Sequence, residues 1–215
     1  MPLRIDAALL VTACRAALAM AATSALLACA TPAPATKHTE AAAVQQNESG
    51  FTVTEDVRVG ADTRAQFDSA LRLLEQEQFE QGIALLLNVT QSAPTVTAPY
   101  VDLGIAYSRS GELDKAETSL KKALELNPRH PVAYNELGMV YRRKGQFAAA
   151  RASYEKALAL APEFRFARLN LAILCDLYVA DLTCALDNYQ AYQRAAPDDK
   201  QAAMWIADVR ARAGQ

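Results

Sequence analysis

Histidine is nearly absent, with only His38 and His130 in 215 residues, alongside one tryptophan and four cysteines. That leaves little from which to build a histidine-rich metal centre or a Ser-His-Asp set. No glycine-rich phosphate loop follows a strand-like run. Eight glycines and nine prolines are too few for a fibrous or low-complexity chain. Neither charge is in excess: 22 Lys and Arg against 24 Asp and Glu give a net charge of −2. This excludes the basic footprint of a nucleic-acid binder. Carboxylate neighbours such as Glu75 and Glu77 have the spacing of a solvated helix face. The expectation is a protein with no catalytic set, no metal and no cofactor.

Long apolar runs are missing too. The uncharged, mostly apolar run Ala16 to Ala28 has 13 residues, shorter than the roughly 20 a bilayer-spanning helix needs. It follows Arg4 and Arg15 and precedes a Thr/Pro/Ala stretch, the layout of a secretory signal over residues 1–28 rather than of a core helix. Leu26-Leu27-Ala28-Cys29 resembles the lipobox of bacterial lipoproteins. The resemblance implies cleavage before Cys29 and acylation of that cysteine. More than one acyl chain makes such an anchor stable. Ala30, rather than Asp, follows the cysteine, and by the same resemblance this favours the outer membrane of a Gram-negative cell, facing the periplasm. Residues 29–62 are then a lipidated N-terminus, a linker and an arm. Residues 30–50 hold one valine and no larger apolar side chain, so they read as a tether, with His38 a solvated linker residue. Phe51, Val53, Val57 and Val59 alternate with polar residues, a strand-like period with no evident second strand to pair with. An extended arm that packs on the first helices or enters a groove is expected over 51–59.

With 52% hydrophobic and 21% charged residues, the rest can pack a core. Its pattern is a repeat. Leu103-Gly104 recurs as Leu137-Gly138, Tyr107 as Tyr141, Gly111 as Gly145, Ala116 as Ala150, Ala123 as Ala157 and Pro128 as Pro162, all 34 residues apart. These two copies resemble the tetratricopeptide repeat, with its L-G-x2-Y, A-x3-F and final P. Weaker copies flank them. Ala70, Leu73, Phe79, Gly82, Leu86, Val89 and Pro94 keep the phase upstream. Leu171-Ala172, Cys175, Ala185, Tyr189, Tyr192 and Pro197 keep it downstream if one residue is inserted near 179–182. The resemblance implies an all-α solenoid of about four helical hairpins over 63–198. Residues 199–215, with Met204, Trp205, Ile206 and Val209, read as an amphipathic helix capping the open end. Within 131–164 the pattern predicts helices near 132–144 and 147–160, with Gly138 and Ala150 small at the closest approach. Tyr141 and Tyr154 fill the gap, and Gly145 sits in a left-handed turn.

In this repeat family the first helices line a concave groove, which here implies the stripes Val101, Ile105, Ser108; Asn135, Met139, Arg142; and Leu169, Ile173, Asp176. Phe67 and Leu71 extend them, with Glu136, Arg143 and Asn170 alongside. An apolar floor with polar flanks suits a peptide or helix. Asn170 alone takes the place of the Lys/Asn/Arg clamp by which some members grip a terminal carboxylate, and Glu136 would repel one. Within Arg142-Arg143-Lys144, charge near a helix C-terminus explains one or two members, leaving Arg142 and Arg143 to meet an acidic partner. The functional expectation is a non-enzymatic adaptor held by lipid at the bacterial envelope, gathering partners for an assembly. Lipobox plus repeats is similar to the pilotin-type lipoproteins that help secretins of pili or secretion systems assemble. The alternative is an accessory regulator of a cell-wall-modifying enzyme.

Loss of Cys14 with the signal and use of Cys29 for lipid would leave Cys175 and Cys184 in an oxidising compartment. Both fall on one helical hairpin, across the turn with the inserted residue. A disulfide is expected there; two independent small core residues are the alternative.

Overall fold

The structure, a computed structural model, describes residues 43–47, 50–54 and 58–214. The signal-peptide reading and Cys29 lie outside the described residues. Two short strands come first, β1 (Ala43–Asn47) and β2 (Gly50–Thr54), paired antiparallel with Val44 opposite Val53 and Asn47 opposite Gly50. This corrects the reading of residues 30–50 as tether throughout, and of 51–59 as a strand without a partner. Apolar content was the wrong criterion: a ladder is built from backbone donors and acceptors, whatever the side chains.

Nine helices follow among the described residues. They are α1 (Ala61–Glu75), α2 (Phe79–Ser92), α3 (Ala98–Ser110), α4 (Leu113–Leu126), α5 (Pro131–Arg143), α6 (Phe147–Leu160), α7 (Arg165–Leu177), α8 (Leu182–Ala195) and α9 (Lys200–Arg212). None of them is long and apolar enough to cross a membrane. The first eight form four antiparallel hairpins, each packed on the next, and α9 packs on α8 as the terminal cap. Ala202, Ile206 and Val209 are its buried face, while Trp205 lies over Tyr189 at 5.4 Å between ring centroids.

The first three hairpins close because one helix of each carries a residue without a side chain. A Cβ on Gly138 would sit 2.6 Å from the Tyr154 ring, and one on Gly82 would sit 2.5 Å from Leu74. Gly104 meets Leu120 in the same way. Tyr154 and Leu120 are wholly buried as a result, and burying side chains of this size contributes about 1.5–3 kcal/mol each. The turns are separate devices. Gly111 and Gly145 take φ of +90° and +73° with open space around them. His130 caps α5, its Nδ1 accepting from the Ala133 amide at 3.1 Å inside the core. That is a structural task, in keeping with its place in an inter-repeat turn.

The fourth hairpin is irregular. Its turn is one residue longer than that between α5 and α6, and Ala180 takes φ of +54° within it. Asp181 caps α8 by accepting from the Cys184 amide at 3.0 Å, and receives Arg151 from α6 at 3.0 Å. Cys175 on α7 and Cys184 on α8 are joined by a disulfide across this turn, their Cα atoms 5.8 Å apart.

Two outcomes follow for stability. Alanine is the better helix former by about 1 kcal/mol, yet Gly138→Ala is expected to destabilise by about 1–3 kcal/mol in urea denaturation, because overpacking against Tyr154 outweighs propensity. The disulfide closes a short loop between residues nine apart, so chain entropy assigns it roughly 2–3 kcal/mol. The Cys175→Ala, Cys184→Ala variant should lose about that much, and added reductant should lower the wild-type melting temperature but leave the variant unmoved.

Candidate functional site

Stacking the hairpins sets α3, α5 and α7 side by side, and successive contacts run α3 to α5 and α5 to α7. Positions 34 apart therefore form rows. One row is Ala98, Val132 and Phe166; the next is Asp102, Glu136 and Asn170; the third is Ile105, Met139 and Ile173. A groove of about 370 Å³ opens over these rows, lined by Ile105, Ser108, Arg109, Val132, Asn135, Glu136, Met139, Phe164, Phe166 and Asn170.

Of the residues expected in or beside the groove, Ile105, Ser108, Asn135, Glu136, Met139 and Asn170 line it together. Val101 does not: it is wholly buried in the core between repeats, and its place in the groove is corrected. Val101 stands four residues before Ile105 on the same side of α3, but it is wholly buried and does not reach the lining. Leu169 and Ile173 are half-buried against the second core cluster rather than facing the cavity. The basic run is also committed elsewhere. The Arg142 guanidinium lies over the Tyr178 ring at 5.6 Å. Arg143 donates to the Ser108 carbonyl, and to its hydroxyl at 3.1 Å. Lys144 bridges Asp114 at 2.7 Å and Glu117 at 2.6 Å on α4, and these contacts hold its ammonium well above the usual lysine range. All three basic residues bind their own chain.

Phe164, Phe166, Val132 and Arg109 were not anticipated. Phe164 and Phe166 stand edge to face, 6.3 Å apart, where the chain enters α7. In the sequence they fall in PEFRF after the repeat's proline, where the pattern marks no position. The 34-residue spacing that carries Val132 to Phe166 was the signal that reveals them.

The polar part is a ladder. Asn170 donates to the Asn135 Oδ1 at 3.0 Å, and Asn135 donates onward to Glu136 Oε1 at 3.1 Å. Asp102 is different. It is 3% exposed, and its Oδ2 has no hydrogen-bond partner among the described residues. Burial raises its pKa to about 7, and the nearby Glu136 adds to the rise. Burial likewise raises that of Glu136, against the pull of its bond from Asn135.

The sign of the consequence is fixed. A carboxyl whose pKa is raised on folding contributes its full stability below the unfolded value near 3.8, and loses it as pH rises through about 7. The whole difference is at most about 4 kcal/mol. Asp102→Asn cannot titrate, so its melting temperature should stay flatter between pH 5 and pH 8 than that of the wild type. At pH 8 the variant should be the more stable; calorimetry across this range checks it.

Residues 95–163 match the family model of the tetratricopeptide repeat. Anaphase-promoting complex subunit 3 of Dictyostelium discoideum is 39% identical over 69 residues, which are 32% of this chain and 7% of that protein. The chain thus spans a small part of that relative. Among solved structures, residues 41 to the end of MamA from Desulfovibrio magneticus RS-1 superpose with a TM-score of 0.65 at 21% identity, covering 73% of this chain and 88% of that one. A thermophilic TPR protein of Thermus thermophilus gives 0.60 at 27%, covering 69% and 81%. PilF of Pseudomonas aeruginosa gives 0.64 at 19%, covering 70% and 68%. Residues 95–163 are therefore tetratricopeptide repeats, and the helical hairpins before and after them continue the same solenoid.

Proposed function

We propose that this protein is a lipid-anchored interaction scaffold of the bacterial envelope, whose groove holds a peptide or helix from a partner in a pilus or secretion assembly. A tetratricopeptide solenoid is a protein-binding architecture. The observation that carries the reading is the groove's composition. Ile105, Val132, Met139 and Phe166 supply apolar anchoring, and the Asn135–Asn170 ladder supplies polar contacts beside it. That mixture suits a segment with apolar anchors at helical or extended spacing. The Leu26-Leu27-Ala28-Cys29 sequence supports the anchor, and Ala30 after the cysteine supports the outer-membrane location. The shared fold with PilF supports a pilus-related role only at the level of architecture.

Two measurements test this. Cys29→Ser should leave the protein unprocessed or free of membranes. Recovery of the variant in acylated, membrane-bound form would remove the anchor. In pull-downs from solubilised membranes, the wild type should retain a secretin or pilin, and Met139→Glu should lose it, since central interface residues carry about 2 kcal/mol or more when they are hot spots. Retention of a wall hydrolase or synthase instead would favour a regulatory role. Retention unaffected by Met139→Glu would move the binding surface away from the groove.

A further inference from the structure

We propose that the groove recognises a basic side chain, lysine or arginine, of the bound segment, seated between Asp102 of α3 and Glu136 of α5. This rests on the reading of the groove as a polypeptide-binding site, and it specifies what that site selects. Asp102 and Glu136 occupy the same position in adjacent repeats and stand in one row across α3 and α5; Glu136 lines the groove, and Asp102 is buried next to it in that row rather than lining the cavity. Neither has a cation bonded to it among the described residues. Glu136 receives the neutral amide of Asn135, and the Asp102 Oδ2 is left without a donor. Arg109 draws on Glu136 electrostatically but forms no bond to it.

Asp102 is the informative member. It is almost wholly buried, and it lies on the face of α3 that carries Ile105 and Arg109, three and seven residues on. Both of those residues line the groove. A buried carboxylate without a partner is unfavourable, and asparagine at this place, as at Asn170, would avoid the cost. A cation delivered from outside supplies what the fold withholds. The apolar floor fits the same ligand, since Ile105, Val132 and Met139 can cover the methylene stem of a lysine while its ammonium reaches the carboxyls. An acidic segment would meet two like charges instead, and the arginines that might have drawn it, Arg142 and Arg143, are bound within the chain.

The test uses a random twelve-residue peptide library presented to the folded protein at pH 7.5. Retained peptides should be enriched in lysine or arginine next to apolar residues. Binding should fall at least tenfold when that residue is changed to norleucine, or when the protein carries Asp102→Asn with Glu136→Gln. In the doubly substituted protein, lysine and norleucine peptides should bind alike, an equality that a merely structural effect of the substitutions would not produce. Peptides held in a manner sensitive to Met139→Glu but without basic enrichment, or with the lysine preference intact in the doubly substituted protein, would overturn the cation site while the groove stands. No retained peptide, or retention indifferent to Met139→Glu, would overturn the groove reading and this inference with it.

Discussion

The structure depends on a near-contact that only an absent side chain permits. At Gly138 against Tyr154, and in the same sense at Gly104 against Leu120, one helix of a hairpin comes so close to the other that a methyl group would collide. Close approach lets a single large residue plug each hairpin and become fully buried. It also fixes how the hairpin's outer faces are presented to the next one. Each repeat has little core of its own, and its stability comes from the neighbours it is shaped to receive. The rows of the groove are a by-product of that stacking. Once the 34-residue geometry is kept, equivalent positions on α3, α5 and α7 must fall in line.

The parts of the fold governed by sterics were legible in the sequence. Gly145, Ala150, Tyr154 and Pro162 act where the repeat pattern puts them, because glycine, a small residue, a ring and a helix end each have few places to go. The site was harder to read, because it depends on which neighbour reaches a side chain first. Spacing along one helix assigned Val101 to the groove, whereas it is wholly buried within the first core cluster. Arg143 was legible as a charged residue near a helix end, but its bonds to Ser108 come from a helix 35 residues away in the chain. Phe164 and Phe166 went unassigned because they fall at the start of α7, between the repeat's Pro162 and Leu171-Ala172, where the pattern marks no position. The Ala43–Asn47 strand escaped notice since its pairing owes little to side-chain hydrophobicity.

Regularity fails in the fourth hairpin, and covalent and polar constraints gather there. An added residue, a non-glycine residue in the left-handed region, an aspartate cap braced by Arg151 and a disulfide all act on one turn. Leu177, Tyr178 and Val179 are exposed on it, with Tyr178 lying against Phe147 and Arg142. The second and third repeats hold comparable turns with a glycine alone, and the reinforcement is found where the pattern has drifted.

The terminal helix bears on how molecules of this kind associate. Ala202, Ile206 and Val209 of α9 occupy the surface of α8 that a following repeat would cover, and Arg212 reaches back 2.5 Å to Asp176 on α7. Asp176 stands in the row of Ser108 and Arg142, so the bridge ties α9 to the helix that ends that row. A solenoid with both ends bare is a monomer unit for a filament, since the last repeat of one copy can receive the first repeat of another by the same contact, without closure. Here that contact is already made within the chain. Another repeat could reach the face of α8 only by displacing a helix that is tied down at its far terminus by the Arg212–Asp176 pair.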